Sequence, residues 1–134
     1  MRIGRRRFLG ASASAVLVAG TFGRGTVFGA NERIRAGIIG MRSRGTYLMK
    51  AVSKVDGFEV GAICDVDHEV LEARAAEYQK NTNKTVAAYR DLRELLAAGD
   101  IDVVFVAAPN HWHVLAAVWG CQAGKDVYVE KPMS

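Results

Sequence analysis

The chain has 134 residues, 50% hydrophobic and 24% charged, enough for one domain with a real core and not comfortably enough for two. Its formal charge of +4 sits at the beginning: of 18 basic residues, five (Arg2, Arg5, Arg6, Arg7 and Arg24) precede residue 30, where there is no acid, and the other 13 face all 14 acids for a net of −1. That distribution excludes an electrostatic footprint for DNA or RNA on the folded part.

Residues 1–30 read as a signal peptide. Arg5-Arg6-Arg7-Phe8-Leu9 is followed by an apolar, small-residue stretch from Ala11 to Gly20, too short to span a bilayer comfortably. The Arg-Arg-x-Phe-Leu pattern resembles a twin-arginine signal, with Gly4 and Gly10 where Ser or Thr and Lys are usual. Gly29 and Ala30 offer cleavage points, and Val27 suits a cut after Gly29 better than Phe28 suits one after Ala30. A Sec signal or an uncleaved anchor are the alternatives. The twin-arginine reading implies export of the folded protein to a bacterial periplasm, with the twin-arginine machinery as a partner.

From Arg33 the chain alternates strand and helix, which predicts a domain over 31–134. Ile34 to Ile39 is a short apolar run ending at Gly40, a first strand. Gly45 to Val55 has Leu48, Ala51, Val52 and Val55 at helical spacing, with Gly57 as the cap. Phe58 to Cys64 is a second strand ending at Asp65. Asp67 caps a second helix whose apolar face is Val70, Leu71, Ala75 and Tyr78. Val86 to Tyr89 is a third strand, and Asp91 with Glu94 resembles a capping box opening a helix that Gly99 closes. Asp102 to Ala108 is a continuous apolar run, as in a strand buried on both faces of a parallel sheet. His113 to Ala123 is helical, closed by Gly124, and Val127 to Val129 is a fifth strand. Five strands and four helices in alternation predict an α/β fold with right-handed crossovers, a doubly wound parallel sheet. Cys64 and Cys121 match no metal or redox spacing and read as buried free thiols, although they could pair in an oxidising compartment.

Such a sheet binds a dinucleotide when a glycine turn follows the first strand, a helix N-terminus faces the pyrophosphate and an acid ends the second strand. Here the turn is Gly40-Met41-Arg42-Ser43-Arg44-Gly45. Gly40 and Gly45 fit the outer glycines of G-x-G-x-x-G, and Arg42 replaces the middle one. Arg42 either points away or pairs with a phosphate, or else it obstructs the site. Asp65 is placed to accept from the adenosine ribose hydroxyls, which favours NAD over NADP, while Arg42 and Arg44 keep NADP open. The segment Pro109-Asn110-His111-Trp112-His113 follows the fourth strand, where ligands gather, and His113 reads more readily as a helix-start or packing residue than as a catalytic one. Two histidines two apart without a third ligand do not make a metal site. Lys131, in Glu130-Lys131-Pro132 at the end of the fifth strand, faces the same crevice and is either a proton-transfer group or a solvated strand-end lysine; the proline after it suits a cis bond.

These segments, with Cys64-Asp65-Val66-Asp67, Tyr89-Arg90-Asp91-Leu92 and Ala123-Gly124-Lys125-Asp126-Val127, resemble the Gfo/Idh/MocA family of oxidoreductases from Ile34 to Ser134. The leader suits its exported branch, which includes glucose–fructose oxidoreductase. The resemblance implies a Rossmann-type domain that binds NAD, or alternatively NADP, through Gly40, Met41, Arg42, Gly45, Asp65, Pro109, Asn110, His113, Glu130 and Lys131. It implies hydride transfer to or from a sugar or polyol, with Lys131 at the reacting hydroxyl. Family members continue into a C-terminal α+β domain that supplies the substrate pocket and the oligomer interface, so the chain is expected to stop before that domain and to lack independent catalysis. A stand-alone nucleotide-binding module or pseudoenzyme is the alternative. A methyltransferase also places an acid after its second strand, and Glu130-Lys131-Pro132 argues against it.

Overall fold

A computed structural model describes residues 33–132; the expected export signal lies outside the described residues. In chain order the elements are β1 (Ile34–Ile39), α1 (Ser43–Val52), β2 (Phe58–Cys64), α2 (His68–Thr82), β3 (Ala87–Tyr89), α3 (Leu92–Ala97), β4 (Val103–Val106), a 3₁₀ turn (Asn110–Trp112), α4 (His113–Gln122) and β5 (Asp126–Val129). All strands pair in parallel, in the order β3-β2-β1-β4-β5. The doubly wound sheet read from the sequence is therefore present, and its strand order reverses between β1 and β4. That reversal opens a crevice at the carboxyl edge, where open α/β sheets bind ligands.

Alternating side chains of β1 feed two cores. Ala36 and Ile38 pack under α1 and α2 with Met49, Val52, Leu71 and Tyr78, while Ile39 packs under α3 and α4 with Leu95, Leu96 and Ala116. Gly37 belongs to the second face, where a Cβ would lie 2.8 Å from Leu95 Cδ2, so the missing side chain lets α3 approach the sheet. In β2, Val60 and Ile63 share one face although they are three positions apart, an offset that puts side chains on opposite faces of a regular strand. The pairing with β1 skips Gly61, and this bulge resets the alternation.

Helix α2 begins as the sequence predicts, with Asp67 accepting from the Glu69 and Val70 N–H groups. Asp91 caps α3 as the sequence predicts, its carboxylate accepting from the Arg93 N–H, but it pairs with the Arg93 guanidinium in place of a capping-box bond with Glu94. The far end of α3 is tied instead by Lys125, whose Nζ donates to Ala98 O and Ile101 O at 2.7 Å each. Helix α1 ends at Val52, and Gly57 (φ +84) turns the chain into β2 without capping the helix. Gly124 (φ +72) follows α4 as expected.

Two further expectations are corrected. Strand β4 is not buried on both faces: Val104 and Val106 are, but Val103 and Phe105 are only partly covered. Helices α1 and α2 pack mainly over β1, β2 and β3, so Phe105 meets Tyr128, itself 46% exposed, at the uncovered end of that face. Of the two free thiols, Cys64 is buried and Cys121 is exposed on α4. Leu95 is fully buried between α3 and the sheet; Leu95→Ala is expected to destabilise the chain by about 2–5 kcal/mol, read as a lower midpoint in urea unfolding.

Candidate functional site

The glycine turn is built by close approach. Gly40 adopts φ +88, and a Cβ there would lie 2.6 Å from Ala108 N, against the end of β4. Gly45 lies in the first turn of α1, and a Cβ there would run into the Gly40 carbonyl oxygen. These contacts explain both outer glycines of the motif. The Met41 side chain is fully buried in the α1/α2 core, and its N–H, the part of the residue on the turn, donates to Asp65 Oδ2 at 2.8 Å. No side chain caps α1 and no acid lies in its first turn, whereas Asp67 and Asp91 cap α2 and α3. An uncapped helix N-terminus at the carboxyl edge of the sheet suits an anion.

Asp65 joins the turn to the end of β2. Its Oδ2 accepts from Met41 N and its Oδ1 from Asp67 N at 3.0 Å. Each oxygen keeps acceptor capacity for a further hydroxyl. Because Asp67 does the capping of α2, Asp65 is released from it, as the sequence reading requires. The carboxyl ends of β1, β2 and β4 border a cleft of about 470 Å³ lined by Gly40, Asp65, Val66, Arg90, Pro109 and Trp112, among others. Arg42 does not block this cleft: its guanidinium reaches Asp67 Oδ2 at 2.6 Å and its side chain is 73% exposed. Arg90, which donates to Val66 O at 3.3 and 3.4 Å, was not singled out as a site residue from the motif alone. Its position directly after β3 is the signal, since strand ends face the crevice.

Two polar links tie down the end of β5, His113 to the end of β4 and Arg44 to α1. His113 is 1% exposed; Nδ1 lies 2.8 Å from Pro132 O and Nε2 lies 2.8 Å from Ala108 O. Both ring nitrogens are thus engaged by backbone, and His113 is a support beneath the site, not a surface that meets the cofactor. The Glu130 carboxylate accepts from Arg44 Nε at 2.8 Å and Nη2 at 2.7 Å. That bond raises the Arg44 guanidinium pKa further above its ordinary value. It also places Arg44 beside β5, across β1 and β4 from Asp65, and so away from the ribose position for which it was considered. Pro109, Asn110 and Lys131 are exposed at the carboxyl edge, and the Lys131-Pro132 bond is cis.

Chemically, the cleft is a cradle. Backbone approaches closely at the two glycines, the N-terminus of α1 favours negative charge, and a carboxylate at the end of β2 accepts hydroxyls. This set fits a dinucleotide. Cys64 lies at the cleft's inner wall, where burial, reinforced by Asp65, pushes its thiol up to about 12. Asp91 is held down to about 2 by the Arg93 guanidinium and N–H. Among the described residues no three His, Cys, Asp or Glu side chains group as metal ligands do.

Residues 34–134 match the family described as GFO_IDH_MocA, an oxidoreductase family with an NAD-binding Rossmann fold. The chain is 34% identical to an alpha-N-acetylgalactosaminidase of Shewanella oneidensis, over 94% of this chain and 29% of that protein. It is 30% identical to a glycosyl hydrolase family 109 protein of Shewanella pealeana, over 100% of this chain and 34% of that protein. Among solved structures it is similar to a myo-inositol dehydrogenase from Lactobacillus casei in complex with NAD(H) and myo-inositol, with a TM-score of 0.70 at 28% identity, over 76% of this chain and 29% of that one. It is also similar to the WlbA dehydrogenase from Bordetella pertussis in complex with NADH and UDP-GlcNAcA, with a TM-score of 0.69 at 30% identity, over 77% and 30%. The chain thus spans roughly a third of the length of these relatives.

Two measurements probe the geometry. Thiol labelling of the native chain is expected to modify Cys121 at once and Cys64 only after denaturation; equal rates at both would contradict the packing around Cys64. Gly45→Ala is expected to move α1 off the turn and lower the thermal midpoint, whereas an unchanged melt would show that the close approach to Gly40 is absent in solution.

Proposed function

The chain belongs to the Gfo/Idh/MocA family of NAD-binding oxidoreductases, and from that premise we propose that it is the dinucleotide-binding part of an exported enzyme that moves a hydride to or from a sugar or polyol carbon. The observation that carries the reading is the convergence of the glycine turn, the uncapped α1 and Asp65 on one crevice at the carboxyl edge. Solved relatives with NAD(H) or NADH bound, one with myo-inositol and one with UDP-GlcNAcA, support the cofactor and the substrate class. The twin-arginine pattern of the leader supports export. An exported enzyme of this kind loads its cofactor in the cytoplasm, folds around it and holds it tightly.

In this reading NAD supplies the hydride acceptor. The N-terminus of α1 faces the pyrophosphate charge, and Asp65 accepts from ribose hydroxyls. Pro109 and Asn110 form the wall beyond β4. Lys131 holds or receives a proton at the reacting hydroxyl. Arg44 fixes Glu130, the residue before that lysine, and His113 fixes Pro132, the residue after it, so the segment carrying Lys131 is tethered on both sides.

A second reading has a specific observation behind it: the curated relatives quoted above are named as an alpha-N-acetylgalactosaminidase and a glycosyl hydrolase. In that case the whole protein cleaves a glycoside, and the same NAD site takes a hydride and returns it within one turnover, so no reduced cofactor accumulates. NAD-dependent glycosidases are a recognised exception to the two-carboxylate mechanism. Release of sugar from an α-N-acetylgalactosaminide without net NADH formation would favour it.

Calorimetric titration of the full chain with NAD tests the common premise. Saturable binding is expected, weakened at least about tenfold by Asp65→Ala, which corresponds to loss of one charge-assisted hydrogen bond. A folded chain that binds neither NAD nor NADP would remove the reading. In the complete enzyme, Lys131→Ala is expected to lower kcat by about 10²–10⁴ while the chain still binds NAD.

A further inference from the structure

Arg42 is the side chain that the glycine turn does not need. Its backbone is extended at φ −76, ψ −160, so the middle position of this turn does not demand glycine. What the residue contributes is a charge, and the structure shows where that charge goes. Arg42 Nη2 lies 2.6 Å from Asp67 Oδ2. The other oxygen of Asp67 caps α2, accepting from Glu69 N at 3.1 Å and Val70 N at 3.4 Å. Asp67 N in turn donates to Asp65 Oδ1. One guanidinium and two carboxylates are therefore linked in a short chain at the end of β2, where the adenosine ribose is read.

The chemistry at that position is well defined. An acid accepts from the 2′-hydroxyl of NAD, and a nearby arginine accommodates the 2′-phosphate of NADP. This turn holds both kinds of residue, with the arginine engaged by a second acid. We infer that Asp67 is a specificity-determining residue: by pairing with Arg42 it withholds a latent 2′-phosphate ligand and keeps the site selective for NAD. This rests on the dinucleotide reading above. With the pair closed, Asp65, Asp67 and Arg42 sum to one negative charge facing a phosphate that carries about two. With the Asp67 charge removed, Arg42 is released and the three positions sum to zero. An exposed ion pair is weak, so a modest effect is expected, and it depends on Arg42 being present to meet the phosphate. The neighbouring cations are engaged elsewhere: Arg44 by Glu130, Arg93 by Asp91 and Arg90 by Val66 O.

The test compares NAD and NADP binding to the full chain by calorimetry, for the native protein, Asp67→Asn and the double variant Asp67→Asn with Arg42→Ala. Asparagine caps a helix about as well as aspartate, so the first variant keeps the start of α2, and a thermal melt checks this. Asp67→Asn is expected to raise the affinity for NADP relative to NAD by about tenfold, and Arg42→Ala is expected to cancel the gain. The gain should also fall as salt is raised. An unchanged ratio in a folded Asp67→Asn chain overturns the inference. So does a gain that survives Arg42→Ala, which would assign the effect to lost repulsion or to Arg90. If the native chain binds NAD but Asp67→Asn shifts nothing, the inference falls and the NAD site stands. If the native chain binds neither nucleotide, both fall.

Discussion

The contact between Gly45 and the Gly40 carbonyl is what the rest of the site depends on. A helix can begin this close to the end of a strand only where neither residue brings a Cβ into the gap, and a Cβ on Gly45 would occupy the carbonyl oxygen's place. Gly40 in turn presses on the Ala107–Ala108 backbone at the end of β4, so one tight turn brings β1, α1 and β4 together. The uncapped end of α1 then opens on the crevice between the two strands. Met41 drops into the core and spends its N–H on Asp65, which brings the end of β2 to the same place. A larger residue at either glycine would disturb all four elements at once.

The opposite side of the crevice is organised by different physics. Arg44–Glu130 and His113 join loops through polar bonds, and neither adds to the apolar cores. An ion pair as exposed as Arg44 is worth little to stability. Its value lies in position, because it runs from the second residue of α1 to the residue before Lys131. His113, at the start of α4, places its two ring nitrogens 2.8 Å from Ala108 O after β4 and Pro132 O after β5. Together they hold the lysine segment to the same helix and strand that form the glycine turn. In the proposed reading Lys131 transfers a proton, a role that needs its distance to the reacting atom fixed, and these links would contribute to that.

The sequence made legible whatever depends on local pattern. β1 and β2 match their apolar runs residue for residue, because Gly40 and Asp65 end them chemically as well as in pattern. Asp67 as the cap of α2, the glycine turn at Gly40 and Gly45 and the placement of Asp65 at the end of β2 are legible for the same reason. What failed depends on neighbours distant in the chain. The bulge at Gly61 exists because β2 must pair with β1 while Arg35 and Ile101 crowd that point. The half-covered face of β4 reflects where α1 and α2 lie, and the run Val103-Val104-Phe105-Val106 has no way to encode it. His113 was ambiguous because its partners are two backbone carbonyls, which no side-chain motif can announce. The direction of Arg42 is likewise set by Asp67, a partner 25 positions away that the glycine motif does not contain.

The two readings of the whole protein make the same demand on this domain and differ in the fate of the hydride. A dehydrogenase releases reduced cofactor or needs a second substrate to reoxidise it, whereas a glycosidase that takes and returns the hydride leaves NAD unchanged. On the proposed exported route the cofactor travels with the folded protein, and a compartment without free dinucleotide cannot replace it. That situation favours a closed redox cycle in either chemistry, whether through a second sugar that takes the hydride or through return to the same sugar. It also makes selectivity before export important, because a protein that retains its first dinucleotide keeps whichever one it met in the cytoplasm. An acid that holds Arg42 away from a 2′-phosphate would act at that moment, during loading, when NAD and NADP are both present.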